Sequence, residues 1–310
     1  MQTIGSPLLW AGFLLFVLLM LAIDLGVFHR EPHEVSLKEA GAWSAVWVCL
    51  ALCFNLGVWH WFGEERALEF TTGYVIEKAL AVDNIFVFVV IFSAFAIPAV
   101  YQHRVLFWGV LGALALRAVF ILLGAAFIQR FHWAMYVFGV LLVITGLKLL
   151  LQGNDAVQPE KNLFVRAVQK VIPVTTEFAG DRFSVVKQGR RYATPLLLAL
   201  VAVEVTDVIF AVDSIPAIFA ITSDPFIVFT SNIFAILGLR SMYFLLAGVI
   251  SKFVYLKVGL SVVLLFVGVK MLIVDVYKVP VGASLLIIAG ILAASVVVSI
   301  RSIRKYGMPE

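Results

Sequence analysis

The chain has 310 residues, of which 63% are apolar and only 14% charged, with a mean hydropathy of +1.06. Such a composition lies outside the range of soluble globular domains and points to a polytopic membrane protein. The formal net charge of +4 and a pI near 9.1 need no nucleic-acid partner, because the basic residues are accounted for below as topology signals and no basic-aromatic surface accompanies them.

A bilayer core of about 30 Å requires roughly 20 apolar residues per helix. Nine stretches qualify, near 8–28, 42–62, 72–97, 105–128, 132–151, 194–221, 226–249, 255–275 and 281–300. The expected fold is therefore all-α, with about nine transmembrane helices. The first stretch follows Met-Gln-Thr-Ile-Gly-Ser-Pro, which has no basic leader, and is expected to remain as a helix. Asp24 lies near its end. Cys49 and Cys53 share the second stretch at an i, i+4 spacing, which is read as packing in preference to a soft-metal site.

The third stretch carries Glu77-Lys78-Ala-Leu-Ala-Val-Asp83-Asn84, and the sixth carries Glu204-Val-Thr-Asp207-Val-Ile-Phe-Ala-Val-Asp213-Ser214. Further pairs follow in the same order: Ala-Leu-Arg117 with Gly-Leu-Arg240, and Gly-Leu-Lys148 with Gly-Val-Lys270. The offsets are 130, 123 and 122 residues. Residues 72–151 and 194–275 thus read as two copies of a three-helix unit, predicted helices three to five and six to eight. An odd number of helices per copy inverts the second relative to the first. Inverted repeats place binding sites near the midplane and support alternating access. Between the copies, 152–193 reads as a cytoplasmic linker, either a plain tether or a partner-binding segment.

Orientation follows from lysine and arginine, which are retained on the cytoplasmic side. With the N-terminus outside and nine crossings, the inner segments hold fifteen of these residues and the outer loops three, Arg66, Arg130 and Lys278. The C-terminus is then cytoplasmic. The five histidines fall at or near predicted helix ends, which disfavours a midplane imidazole site.

Six carboxylates, Asp24, Glu77, Asp83, Glu204, Asp207 and Asp213, lie within the apolar stretches. Each costs about 2.5–3.5 kcal/mol at a helix centre on insertion scales, so they must be paired, hydrated or bound to an ion. Lys78, Arg117, Lys148, Arg240 and Lys270 are candidate charge-balancing residues, although Lys148 and Lys270 are equally well placed to snorkel. The carboxylates with Asn84 and Ser214 form a hard oxygen set suited to Mn²⁺, Mg²⁺ or Ca²⁺. Glu77 and Asp83 are about 9 Å apart along a helix, which predicts Asp83 and Asp213 at the centre and Glu77 and Asp207 as outer and inner stations. Pro216 predicts a one-sided helix break that frees the Val212 carbonyl. Arg117 and Arg240 also keep an oxyanion substrate in play. No nucleophile motif, phosphate loop or cofactor fingerprint indicates an enzyme.

The strings around Glu77, Asp83 and Asn84, around Glu204 to Pro216, around Asp24, and Ser-Asn232-Ile-Phe-Ala-Ile-Leu-Gly-Leu-Arg240 resemble the TerC family, and within it the Alx branch. The resemblance covers nearly the whole chain. It implies a bacterial inner-membrane protein associated with manganese export, with alkaline-pH response, and historically with tellurite resistance. Mn²⁺ is then cargo, with no prosthetic group. The partners expected are a divalent metal ion and the lipid bilayer, with a homo-oligomer left open, as is a contact with secretion machinery should the protein instead be a membrane factor that delivers metal to secreted enzymes.

Overall fold

The computed structural model describes residues 3–26, 36–131, 133–151, 173–187, 189–247 and 255–306, and within these it leaves out a few side chains, those of Asp24, Asp83 and Asp213 among them. In chain order the elements are α1 (Pro7–Gly26), α2 (Leu37–Phe62), α3 (Glu64–Ala94), α4 (Ala99–Arg130), α5 (Ala134–Leu151), β1 (Ser184–Lys187), β2 (Arg190–Ala193), α6 (Pro195–Phe219), α7 (Pro225–Leu237), α8 (Leu239–Leu246), α9 (Leu256–Leu272) and α10 (Val281–Tyr306). Four helices are long and apolar enough to cross a bilayer: Leu37–Phe62, Ala99–Phe127, Pro195–Phe219 and Val281–Ser302. The pair α7–α8 makes a fifth if counted as one bent span, and Pro7–Ile23, Met135–Leu151 and Val258–Leu272 are shorter apolar helices. The protein is a mostly helical, polytopic membrane protein.

Local chemistry fixes the helix ends. Ser36 caps α2 by accepting from the Glu39 amide at 3.2 Å, in a Ser-x-x-Glu capping arrangement. Asp224 accepts from the Phe226 amide at 2.9 Å and Pro225 opens α7, where a missing N–H costs nothing. Gly63 alone separates α2 from α3, at φ +91°, a left-handed conformation that side-chain-bearing residues rarely adopt. Helix α3 consequently begins at Glu64, and Arg66, expected in an outer loop, sits in its first turn and pairs with Glu69 at 2.8 Å.

A phenylalanine-rich core ties α1, α2, α3 and α7 together, with Phe54 and Phe70 ring centroids 5.3 Å apart and Phe54 and Phe234 5.0 Å apart. Leu15, Leu18, Leu122, Leu123, Ile144 and Leu286 point outward, as lipid-facing residues do. Trp59, Trp61 and Trp133 are exposed near the end of α2 and the start of α5, positions suited to an aromatic belt.

Polar contacts sort the termini of the elements into two groups. Thr3 donates to Asp224 at 2.8 Å, Thr222 donates to Glu69 at 2.8 Å, and Tyr136 donates to Asp275. In the other group Arg104 pairs with Asp181, Tyr101 stacks on Phe178, and the Tyr255 amide donates to Ser299 at 3.0 Å. Within the bundle, a Cβ at Gly139 would meet the Gly268 carbonyl at 3.0 Å, and one at Gly146 would meet the Ser261 carbonyl at 3.0 Å. Helices α5 and α9 therefore run antiparallel in close backbone contact, which only small residues permit.

Three expectations are corrected. The fold is not wholly α-helical, because part of the segment read as a linker folds into the antiparallel hairpin β1–β2, with Val186 opposite Arg191 and Gly189 at φ +77° in the turn. The Thr175 amide ties the preceding chain to Ala193 at 2.9 Å; residues 152–172 lie outside the described set. Helix α6 runs through Pro216 to Phe219. The break instead falls at Gly238, where α7 and α8 bend by 41° in a stretch expected to be one helix.

Candidate functional site

Spacing positions the site before packing completes it. Glu77 and Asn84 are seven residues apart on α3, as are Asp207 and Ser214 on α6, and two helical turns put each pair on one face. Arg117, midway along α4, is directed at both faces. Its Nη1 pairs with Glu77 Oε1, its Nη2 donates to Asp207 Oδ1 at 2.9 Å, and its Nε donates to Asp207 Oδ2 at 3.3 Å. Nη1 also reaches Asn232 Oδ1 at 3.2 Å and Ser214 Oγ at 3.5 Å. Asn232, on α7, returns the contact by donating from Nδ2 to Glu77 Oε2 at 3.1 Å.

All of these groups are buried; Arg117 and Glu77 each expose only 1% of their surface. Ionised groups removed from water to that degree persist only when paired and hydrogen-bonded, and the planar guanidinium supplies the forked donors that two carboxylates need. One guanidinium between two carboxylates leaves a negative charge in excess.

A cavity of about 80 Å³ adjoins the cluster, with Glu77, Asn84, Arg117 and Ser214 on its polar wall and Leu80, Phe210 and Leu264 among its apolar neighbours. Asn84 is buried, and its Oδ1 has no hydrogen-bond partner among the described residues. Buried amide oxygens are normally satisfied, so this acceptor, on a residue that lines a mostly apolar space large enough for several waters, is a candidate ligand.

The remaining candidates are placed less centrally. Glu204 is half-buried one turn before Asp207; a Cβ at Gly112 on α4 would overlap its carboxylate, and its Oε2 has no partner among the described residues. Lys78 donates to the Ala235 carbonyl at 3.0 Å and contacts Met242 Sδ at 3.2 Å, capping the broken end of α7. Lys270 is buried and donates to Ser284 Oγ at 3.0 Å, whereas Lys148 is exposed. Arg240 is buried on α8. The backbones of Asp24, Asp83 and Asp213 run in α1, α3 and α6, and their side chains lie outside the described set. Among the described residues no three His, Cys, Asp or Glu side chains cluster as a metal-ligand set.

Glu77 and Asp207 therefore do not stand as separate outer and inner stations; they meet at one guanidinium. Asn232 was missed as a member of the site; the structure buries it fully, and in the sequence it is an isolated amide in an apolar run. Glu69 was also missed. It is buried at the head of α3 and accepts from Thr222 and Arg66. Asp224 was missed too, although Asp-Pro before an apolar run is a helix-start signature.

The family described as "Integral membrane protein TerC family" matches residues 62–306. A Myxococcus xanthus protein called "Uncharacterized membrane protein STKORF319" is 63% identical over 96% of this chain and 93% of its own length. The Escherichia coli K12 protein called "Putative membrane-bound redox modulator Alx" is 50% identical over 96% of both chains. A Photorhabdus laumondii protein of the same name is 49% identical over 100% of this chain and 99% of its own. No solved structure matches. With a family match over residues 62–306 and relatives of this extent, the chain belongs to the TerC family of integral membrane proteins.

Proposed function

We propose that this protein is an exporter of Mn²⁺ in the bacterial inner membrane, working by alternating access between two inverted three-helix repeats and acting as a carrier, not an enzyme. The observation that carries the reading is the meeting of Glu77 and Asp207, one from each sequence repeat at the same offset, beside a cavity lined in part by Asn84, whose amide oxygen has no partner among the described residues. Asp83 and Asp213 follow on the same helices, and Asn84 and Ser214 complete a hard oxygen set suited to this cation.

The packing of α5 on α9 supports the repeat. At the 122-residue offset Gly146 corresponds to Gly268 and Gly139 to Ser261, so the Gly139–Gly268 contact and the Gly146–Ser261 contact exchange with one another, the pattern that a two-fold axis between the repeats would produce. The two groups of terminal contacts fit nine crossings, and the charge bias puts the N-terminus outside. Asp24 and Glu204 serve as approach positions for the ion.

Export against a negative-inside potential costs about 2.3 kcal/mol per charge per 100 mV, so the ion needs a counter-flow, and protons carried by the carboxylates supply it. An oxyanion substrate is less well supported, because Arg117 is already engaged by two carboxylates. The redox wording in the relatives' name finds little footing in Cys49 and Cys53: both are exposed thiols on α2, and their i, i+4 spacing sets the Cβ atoms about 5–6 Å apart, wider than the roughly 3.5–4.5 Å of a disulfide.

The test is Mn²⁺ efflux from proteoliposomes at matched voltage, with Mg²⁺, Ca²⁺ and Zn²⁺ as competitors. Asp207→Asn and Asp213→Asn are expected to abolish efflux in folded protein, and external acidification to accelerate it in the wild type. Wild-type efflux in both variants would return these carboxylates to a structural role.

A further inference from the structure

We propose that the Arg117 guanidinium is a tethered stand-in for the cargo, holding the two repeat-related carboxylates in the ion-free protein and swinging into the adjoining cavity when a divalent cation takes its place. This rests on the metal-transport reading and adds a specificity device to it.

Three observations carry it. The guanidinium occupies the ground between Glu77 and Asp207, one carboxylate from each repeat, which is where a cation serving both would sit. A place to go exists next door: Arg117 itself lines the cavity of about 80 Å³, as do Asn84, whose buried Oδ1 is an acceptor without a partner among the described residues, and Ser214, whose Oγ is already 3.5 Å from Nη1. The restraint holding it is also visible, since Asn232 accepts from Nη1 at 3.2 Å while donating to Glu77 at 3.1 Å. Two carboxylates attract a divalent ion more strongly than a tethered single charge, whereas a monovalent ion offers no gain over the arginine it would displace. The arginine thereby selects for charge, and it offsets one of the two negative charges of the empty site, so that the ion-free carrier can reorient without stranding two bare carboxylates in the bilayer.

The experiment is calorimetric Mn²⁺ binding to the full-length protein in nanodiscs, comparing wild type with Arg117→Lys and Asn232→Ala. Both variants keep every charge. Lysine loses the fork that grips two carboxylates, and Asn232→Ala loses the restraint on Nη1, so each raises the population of the displaced state. Apparent affinity scales with that population, and Mn²⁺ binding is expected to tighten by roughly tenfold in either variant. A purely structural arginine predicts weaker or unchanged binding, and that result in both folded variants overturns the proposal while leaving the transport reading intact. Absence of Mn²⁺ binding by the wild type overturns both. If one variant fails to fold, the other decides.

Discussion

Helix α4 and the pair α7–α8 carry matching strings, Ala-Leu-Arg117 and Gly-Leu-Arg240, yet they differ in shape. The first is an unbroken helix of 32 residues, and the second is split into 13 and 8 residues with a 41° bend at Gly238. The difference starts from one side chain. Ala115 stands where the second string has Gly238, and a Cβ at Gly238 would lie 2.7 Å from Lys78 Nζ and 3.3 Å from Trp47 Cβ. The backbone angle there, φ −84°, is open to any residue, so glycine is needed for space and not for conformation. The missing methyl lets the Lys78 ammonium reach the Ala235 carbonyl, at the negative end of α7. Matching sequences thus diverge where one half-buried lysine has been fitted against only one of them. The unbroken helix holds its arginine rigidly on two carboxylates, and the broken one offers a joint.

The strongest way to break this contrast is to remove the anchor of the unbroken helix. Arg117→Ala strands Glu77 and Asp207 in an apolar interior, and removing one partner of a buried ion pair typically costs about 3–5 kcal/mol. Thermal unfolding in detergent is expected to show the largest loss of any single substitution in the bundle, with partial recovery in the triple variant Arg117→Ala, Glu77→Gln, Asp207→Asn. A midpoint within a degree of wild type would mean that the cluster is solvated.

A smaller effect is expected where α5 meets α9. A Cβ at Gly268 would lie 2.9 Å from both the Gly139 carbonyl and the Val143 amide, and backbone atoms cannot move aside as a side-chain tip can. Gly268→Val is expected to destabilise by about 1–3 kcal/mol through overpacking, and Gly146→Val by a similar amount, since both meet backbone of the facing helix. Unequal losses would show that the two contacts are not related by the proposed two-fold axis.

Gly238→Ala tests the joint itself. Alanine normally stabilises a helix interior by about 1 kcal/mol relative to glycine. Here it displaces the Lys78 ammonium from its carbonyl, and the loss of a charge-assisted hydrogen bond, about 1.5–3 kcal/mol, outweighs that gain. A net loss of about 1 kcal/mol is expected by the same unfolding measurement. A net gain would show that the break is not held by Lys78.

These cases show where sequence reasoning stopped. Hydropathy marked all the apolar segments, and the repeat offset matched Glu77 with Asp207, because both signals are local or periodic. Periodicity places a residue on a helix face; it does not say which face of another helix arrives opposite. Distance along one helix sets the spacing expected between Glu77 and Asp83, but the convergence of Glu77 with Asp207 depends on α3, α4 and α6 packing around Arg117. Asn232 sits in an apolar run with no charged neighbour to draw attention to it. Chemistry favours a break at Pro216, and the break occurs at Gly238, where tertiary packing requires room. Hairpin β1–β2 had a legible signal in Gly189, flanked by Val185-Val186-Lys187 and Arg190-Arg191-Tyr192, but its length within a charged linker concealed it.

The weakest effect lies outside the bundle, in that hairpin, and it sharpens the contrast between buried and exposed ion pairs. Lys187 donates to Glu177 at 2.6 Å, with both side chains in solvent, and the hydrogen bond followed by the charge of the ammonium lowers the Glu177 carboxyl below the usual carboxylate range. A carboxyl depressed in the folded state contributes stability above its unfolded pKa and loses it as pH falls through the folded value. Exposed pairs of this kind are screened by salt and contribute little. A ¹³C-detected titration of Glu177 should therefore show a depressed midpoint that returns toward the ordinary value in Lys187→Met and at high salt, with no change in the unfolding of the bundle. A titration insensitive to salt would place this pair in the same protected class as Arg117, Glu77 and Asp207, which solvent exposure argues against.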